Sequence, residues 1–221
     1  MAGGVRLNWG PRSRSTAPTP RGGQPRLGAA RRSGLAPWWV GVALLLALPA
    51  LLAGAGASHA IDWQPARALT EPWRWWSAAW VHYSRMHWLI NLAGAAVVAV
   101  LGVAARVDRR AALAWLLAWP LTHLGLLLRP ELAHYGGLSG VLHAGAAVIA
   151  VQLLFTRERR ALTVGVLLAA GLLAKLIYEA PWGPVLRHPA GWDIAVAPLA
   201  HTTGAVAGAL CALALKLLGK R

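Results

Sequence analysis

Charge is scarce in this chain of 221 residues. Only 13% are Asp, Glu, Lys or Arg, and just seven are acidic. A soluble domain carries roughly a quarter charged residues, so the deficit excludes an ordinary water-facing surface. The hydrophobic share, 57%, is that of a membrane protein. Cysteine is nearly absent. The single Cys211 excludes an internal disulfide, and its apolar surroundings point to core packing. The chain also lacks H-E-x-x-H and C-x-x-C, and no carboxylate is expected within the membrane beside its eight histidines. Those absences weigh against a His-rich metal or haem membrane protein, and no metal or other cofactor is expected.

Basic residues are the exception to the scarcity, giving a net charge of +15. They avoid the apolar segments and gather in tails and short connections. That distribution reports membrane topology, so no nucleic-acid partner is expected. Residues 1–35 are rich in Arg, Pro, Gly and Ser without an apolar period and read as a disordered basic tail. Residues 36–218 form the membrane domain, and 219–221 a short basic end. Apolar runs at 37–57, 87–105, 111–128, 138–155, 161–178 and 198–218 each approach the ~20 residues that a helix needs to cross a bilayer. The predicted fold is therefore all-α and polytopic, with six transmembrane helices. Six Trp and Tyr83 fall between Trp63 and Trp88, which predicts an interfacial aromatic belt on a surface or re-entrant loop.

Sixteen of the 22 Lys and Arg residues belong to the tail, the second-to-third and fourth-to-fifth connections, and the C-terminus. The positive-inside rule then puts both termini in the cytoplasm, and the expected location is a bacterial inner membrane. A competing reading takes Arg31-Arg32, the first apolar run and Ala57-Ser58-His59-Ala60 as a cleaved signal peptide. The run is longer than most signal cores, which favours a retained helix.

Polar residues inside a membrane are expensive and mark function. Counted from the basic boundaries at ~1.5 Å per residue, Ser139 lies ~27 Å up its helix, His201 ~22 Å, and His87 and Asn91 ~28 and ~22 Å. Three helices thus bring a serine, two histidines and an asparagine to one layer below the outer surface. Ser139 sits in Gly137-Leu138-Ser139-Gly140, where glycines let a substrate backbone approach. A serine hydroxyl needs a base, and His201 is the candidate. Gly204 and Gly208 follow it as G-x-x-x-G, which lets its helix come close to a neighbour. His87 and Asn91 share one helix face at i, i+4 and can donate to one oxygen, together with the amides at the start of the Ser139 helix. The structural alternatives are a Ser139 that only caps a helix and a His143 that competes as base. The i+4 spacing of His143 equally suits ring packing beside His201. His82 reads as a loop residue. Glu179 and Asp193 read as solvated outer-loop acids, though either is in range to orient His201.

These motifs resemble the rhomboid intramembrane serine proteases. The resemblance rests on Trp73-Arg74 in the first loop, His87-x-x-x-Asn91 on the second span, Gly137-Leu138-Ser139-Gly140 at the fourth, and Ala200-His201-x-x-Gly204-x-x-x-Gly208 on the sixth. It spans about residues 37–218, in the right order. The wording G-L-S-G-V-L-H and the small six-helix build are most like the rhombosortase branch, which is associated with proteins ending in Gly-Gly, an apolar helix and a basic tail. The resemblance implies a six-helix rhomboid-like bundle in the lipid bilayer and transmembrane protein substrates cleaved near the outer face. It implies a Ser–His dyad without a third acid: Ser139 the nucleophile, His201 the base, and His87, Asn91 and the Ser139 amide binding the oxyanion. Many rhomboids have Tyr where this chain has His143. A catalytically silent rhomboid-like protein that binds membrane segments is the alternative, and retention of Ser139 and His201 argues against it.

Overall fold

A computed structural model describes Met1, Gly3, Gly4 and residues 36–56 and 58–219. Apart from Met1, Gly3 and Gly4, the basic tail of residues 1–35 lies outside the described residues, as do Ala57 of the alternative cleavage motif and Lys220 and Arg221 of the basic end. The described residues form seven α-helices: α1 (Pro37–Ala53), α2 (Arg74–Ser77), α3 (Arg85–Ala104), α4 (Arg109–Leu124), α5 (Ser139–Leu154), α6 (Arg159–Glu179) and α7 (Pro198–Leu218). Six of them coincide with the six apolar runs, and the seventh, α2, is a single turn inside the first loop. The all-helical expectation holds, but the count does not reduce to six equal spans. Four helical segments are long and apolar enough to cross a bilayer: Arg85–Ala104, Arg109–Leu128, Arg159–Glu179 and Pro198–Leu218. The apolar α1 and α5 have 17 and 16 residues, or roughly 24–26 Å of helix against a hydrocarbon thickness of ~30 Å. The chain is a multi-pass membrane protein.

Local chemistry sets the helix starts. Pro37 and Pro198 occupy the first turns of α1 and α7, where a missing N–H does no harm. Ser84 accepts from the His87 N–H at 3.1 Å and starts α3, and Asp108 accepts from the Ala111 N–H at 2.9 Å and starts α4.

α5 is the centre of the bundle. It is apolar over most of its surface, with Ser139, His143 and Gln152 its polar side chains, and α3, α4, α6 and α7 all pack on it. Its tightest neighbour is α7, because small residues line the seam. A Cβ on Gly204 would collide with the Gly140 carbonyl, and one on Gly208 with the Ala144 carbonyl. α6 is the opposite case: it packs mainly on α5, and Gly165 is its only buried residue. Its Leu167, Leu173 and Ile177 stand exposed, as suits side chains in contact with lipid.

The tryptophans divide into two groups, which corrects the simple belt. Trp73 and Trp76 are exposed in the loop and fit an interfacial role, but Trp63 is fully buried. Others act as pegs between elements through their indole N–H. Trp39 donates to the Val98 carbonyl at 3.1 Å, Trp88 to Ala50 at 2.9 Å, Trp115 to Val141 at 2.8 Å and Trp119 to Trp76 at 3.1 Å. Trp39 also packs its ring 4.3 Å from that of Trp115, so α1 is part of the core.

Candidate active site

The segment before α5 is fixed from the first loop. Trp63 and Tyr135 exchange backbone hydrogen bonds of 2.7 and 3.0 Å, and the Gly137 N–H donates to the Ala78 carbonyl at 3.0 Å. Gly137 has φ +125°, a conformation that side chains disfavour, and a Cβ there would lie 2.6 Å from His87 Nε2. Glycine is needed on both counts. Two residues later, past the N-cap Leu138, Ser139 opens α5, and its N–H has no protein acceptor among the described residues.

The close α5–α7 seam brings His201 to Ser139. The Ser139 Oγ lies 2.9 Å from His201 Nε2. On the other side of the ring, His201 Nδ1 lies 2.7 Å from Glu179 Oε2 at the end of α6. A carboxylate can only accept, so Nδ1 carries the proton and Nε2 is left with the lone pair that faces the serine hydroxyl. His143 stacks on His201 with ring centroids 4.2 Å apart and planes 13° from parallel. Its Nδ1–H donates to the Ser139 carbonyl at 2.7 Å, so it is placed for ring packing rather than for the serine hydroxyl.

Of the two readings of Glu179, the structure fits the one that had it in range to orient His201 rather than the default. Glu179 is not a solvated loop acid, and the expectation of no membrane carboxylate beside the histidines fails at this position. Its side chain is 16% exposed and also pairs with Lys175, one turn earlier. The i, i+4 spacing of Lys175 and Glu179 at the end of an apolar run was the available signal. Asp193 instead accepts from the Ser84 hydroxyl at 2.7 Å in an exposed pair.

His87 and Asn91 are buried on α3 and face the same cleft as Ser139, His143 and His201. The cleft has a volume of about 1350 Å³ and lies between α3, α5, α6 and the start of α7. Asn91 donates one amide hydrogen to the His87 carbonyl at 2.8 Å, which leaves its second for another acceptor. His87 Nδ1 and Asn91 Oδ1 are buried with no protein partner among the described residues. Gly140 packs against the Ala200 carbonyl, and Gly204 and Gly208 hold the seam below it.

The family model for the Rhomboid domain matches residues 69–217. The chain belongs to the rhomboid family. Rhomboids are generally serine proteases that act on membrane proteins within the bilayer. No curated protein matches this rhomboid significantly.

Trp73 and Arg74 stand apart from the cleft. Arg74 is buried and locks the first loop: its Nη1 donates to the Asp62 carbonyl at 2.6 Å and reaches Asp62 Oδ1 at 3.3 Å, while Nε donates to Glu71 at 2.6 Å. Burial pushes the Asp62 carboxyl up, but hydrogen bonds from Gln64, His59, His134 and Tyr83 outweigh it and hold the group below its ordinary range. His59, Asp62 and His134 form a group with metal-compatible donor types. Both imidazole Nδ1 atoms already bond to Asp62 Oδ2, at 2.9 and 2.8 Å, so the cluster is accounted for as a hydrogen-bonded anchor. His82 is fully buried in the same loop, donates to the Trp80 carbonyl at 3.2 Å and lies against the His87 ring. Burial pushes its imidazole down to about 4, so it is neutral at neutral pH.

Proposed function

We propose that this rhomboid is an intramembrane serine endopeptidase in which Ser139 is the nucleophile and His201 the general base. The observation that carries the reading is the 2.9 Å approach of Ser139 Oγ to an unprotonated His201 Nε2 at the wall of a membrane cleft. Oγ adds to the scissile carbonyl as its proton passes to Nε2, and the same proton then leaves with the amine. Water from the outer side hydrolyses the acyl-enzyme. The Ser139 N–H, His87 and the free amide hydrogen of Asn91 receive the oxyanion. No metal or cofactor takes part.

The catalytic domain comprises residues 36–218 in six spans, with α1 retained. Both termini lie in the cytoplasm, with the cleft opening toward the outer face of a bacterial inner membrane. The substrate is a transmembrane protein that reaches Ser139 between α3 and α6. A regular helix resists cleavage because its carbonyls are already bonded, so the substrate needs a weak turn such as one with glycine. Of the rhomboid branches, the rhombosortases fit best, which makes a C-terminal Gly-Gly, apolar helix and Arg-rich tail the proposed anchor.

The test is co-expression with a reporter that carries such an anchor. The parent releases the reporter, and Ser139→Ala and His201→Ala do not. The double variant loses no more than either single one, because the two groups act in one step. Cleavage that persists in Ser139→Ala would overturn the proposal.

A further inference from the structure

We propose that Glu179 is the third member of the site, a positioning residue whose carboxylate fixes the tautomer and orientation of His201 and balances its charge during acyl transfer. This rests on the Ser139–His201 reading above and departs from the two-residue site that family resemblance implies. The Oε2–Nδ1 distance of 2.7 Å is that of a charge-assisted hydrogen bond. Ser139, His201 and Glu179 thus form one line of hydrogen bonds across three helices, α5, α7 and α6.

The setting of the carboxylate is costly and heavily compensated. Glu179 is the last residue of α6, where the helix dipole disfavours negative charge. It also ends a span that is otherwise almost wholly apolar. Two features offset that placement. Lys175 pairs with the carboxylate from one turn back. Arg187 caps the helix end, its Nη1 donating to the Tyr178 and Glu179 carbonyls at 3.0 and 2.8 Å. Ala180 then turns the chain away with φ +48°, in the left-handed region that is unfavourable for alanine. The Arg187 cap and the left-handed turn would serve any residue at 179, but the Lys175 pair and the contact with His201 Nδ1 belong to the carboxylate itself, and an apolar residue ending the span would need neither. The arrangement holds one carboxylate oxygen against one ring nitrogen.

In the reaction, the Ser139 proton moves to His201 Nε2 while the Nδ1–H stays on the ring. Glu179 remains a carboxylate and stabilises the imidazolium that forms. Without it the ring is free to rotate or to carry its proton on Nε2, where it cannot accept one.

The experiment compares the parent, Ser139→Ala, Glu179→Gln and Glu179→Asp for cleavage of one transmembrane reporter in detergent or liposomes, with melting temperatures in parallel. Glu179→Gln keeps the length and hydrogen-bonding capacity of the side chain but removes its charge. Glu179→Asp keeps the charge and shortens the reach by one methylene. A positioning carboxylate predicts the order parent, then Asp, then far below them Gln. The kcat of Glu179→Gln should fall about 10²–10⁴-fold, the scale seen when a histidine loses its orienting carboxylate, with KM nearly unchanged. A purely structural side chain predicts the reverse order, because Gln preserves shape better than Asp. Glu179→Gln at or above Glu179→Asp, or within about threefold of the parent, would overturn the inference. Residual cleavage by Ser139→Ala would instead sink the serine-peptidase reading on which it rests, so the two failures are distinguishable.

Discussion

The seam between α5 and α7 sets the distance between Ser139 and His201, the proposed nucleophile and base, and Gly204→Ala tests it. The added Cβ would lie 2.7 Å from the Gly140 carbonyl carbon and 3.3 Å from its Cα. Carbon atoms in contact prefer ~3.5–4.0 Å, so α7 must retreat by roughly 1 Å at this level. No flexible side chain is available to absorb the shift, because the opposing atoms are backbone. Gly204 lies less than one turn after His201, so most of the retreat reaches the imidazole. The Ser139–His201 distance of 2.9 Å then widens beyond hydrogen-bond range. A displacement of ~1 Å at reacting atoms costs about 10²-fold in rate. The assay is reporter cleavage together with the rate of fluorophosphonate labelling at Ser139, each corrected for folded protein. Gly208→Ala, which strains the same seam about one turn farther from the site, should lose less activity for a similar fall in melting temperature. Gly204→Ala with labelling within about threefold of the parent would refute the claim that backbone contact at this glycine sets the catalytic distance.

Other expectations follow from the same geometry. His87→Ala and Asn91→Ala should each lower kcat by up to ~10²–10³ with little change in KM, as for loss of one oxyanion donor; unaltered turnover in the double variant would remove both from that role. The Asp62 carboxyl is held below its ordinary 3.8, so its contribution to loop stability is complete above that pH and fades only as the pH falls through the lowered value. Protease sensitivity of residues 58–84 should therefore be the same at pH 7 and pH 5 and rise only under stronger acid; a rise between pH 7 and 5 would show that Asp62 does not hold the loop. In a Cys211→Ser background, an impermeant thiol reagent should label Ser58→Cys from outside intact spheroplasts and leave Ser33→Cys untouched; labelling at position 33 would reverse the proposed orientation.

The linear chain determined the helical runs, their order and the composition that assigns them to a membrane. Apolar length and the sorting of Arg and Lys are one-dimensional properties, so no structure was needed to read them. The common depth of Ser139, His201, His87 and Asn91, which line one cleft, was also legible, because each is a polar residue at a similar count from a basic boundary, and depth along a helix is nearly linear in residue number. Gly204 and Gly208 announced a close helix contact for a similar reason. What the chain did not disclose was which side of each helix meets which neighbour. Glu179 sits 22 positions before His201, and only the packing of α6 on α5 brings its carboxylate to Nδ1. Arg74 looked like part of the site from its motif, yet tertiary contacts turn it into the first loop against Asp62. The tryptophans divided between lipid-facing rings and buried pegs because hydrogen bonds across elements, not hydropathy, settle where an indole N–H points. Depth belonged to the sequence, and azimuth to the folded bundle.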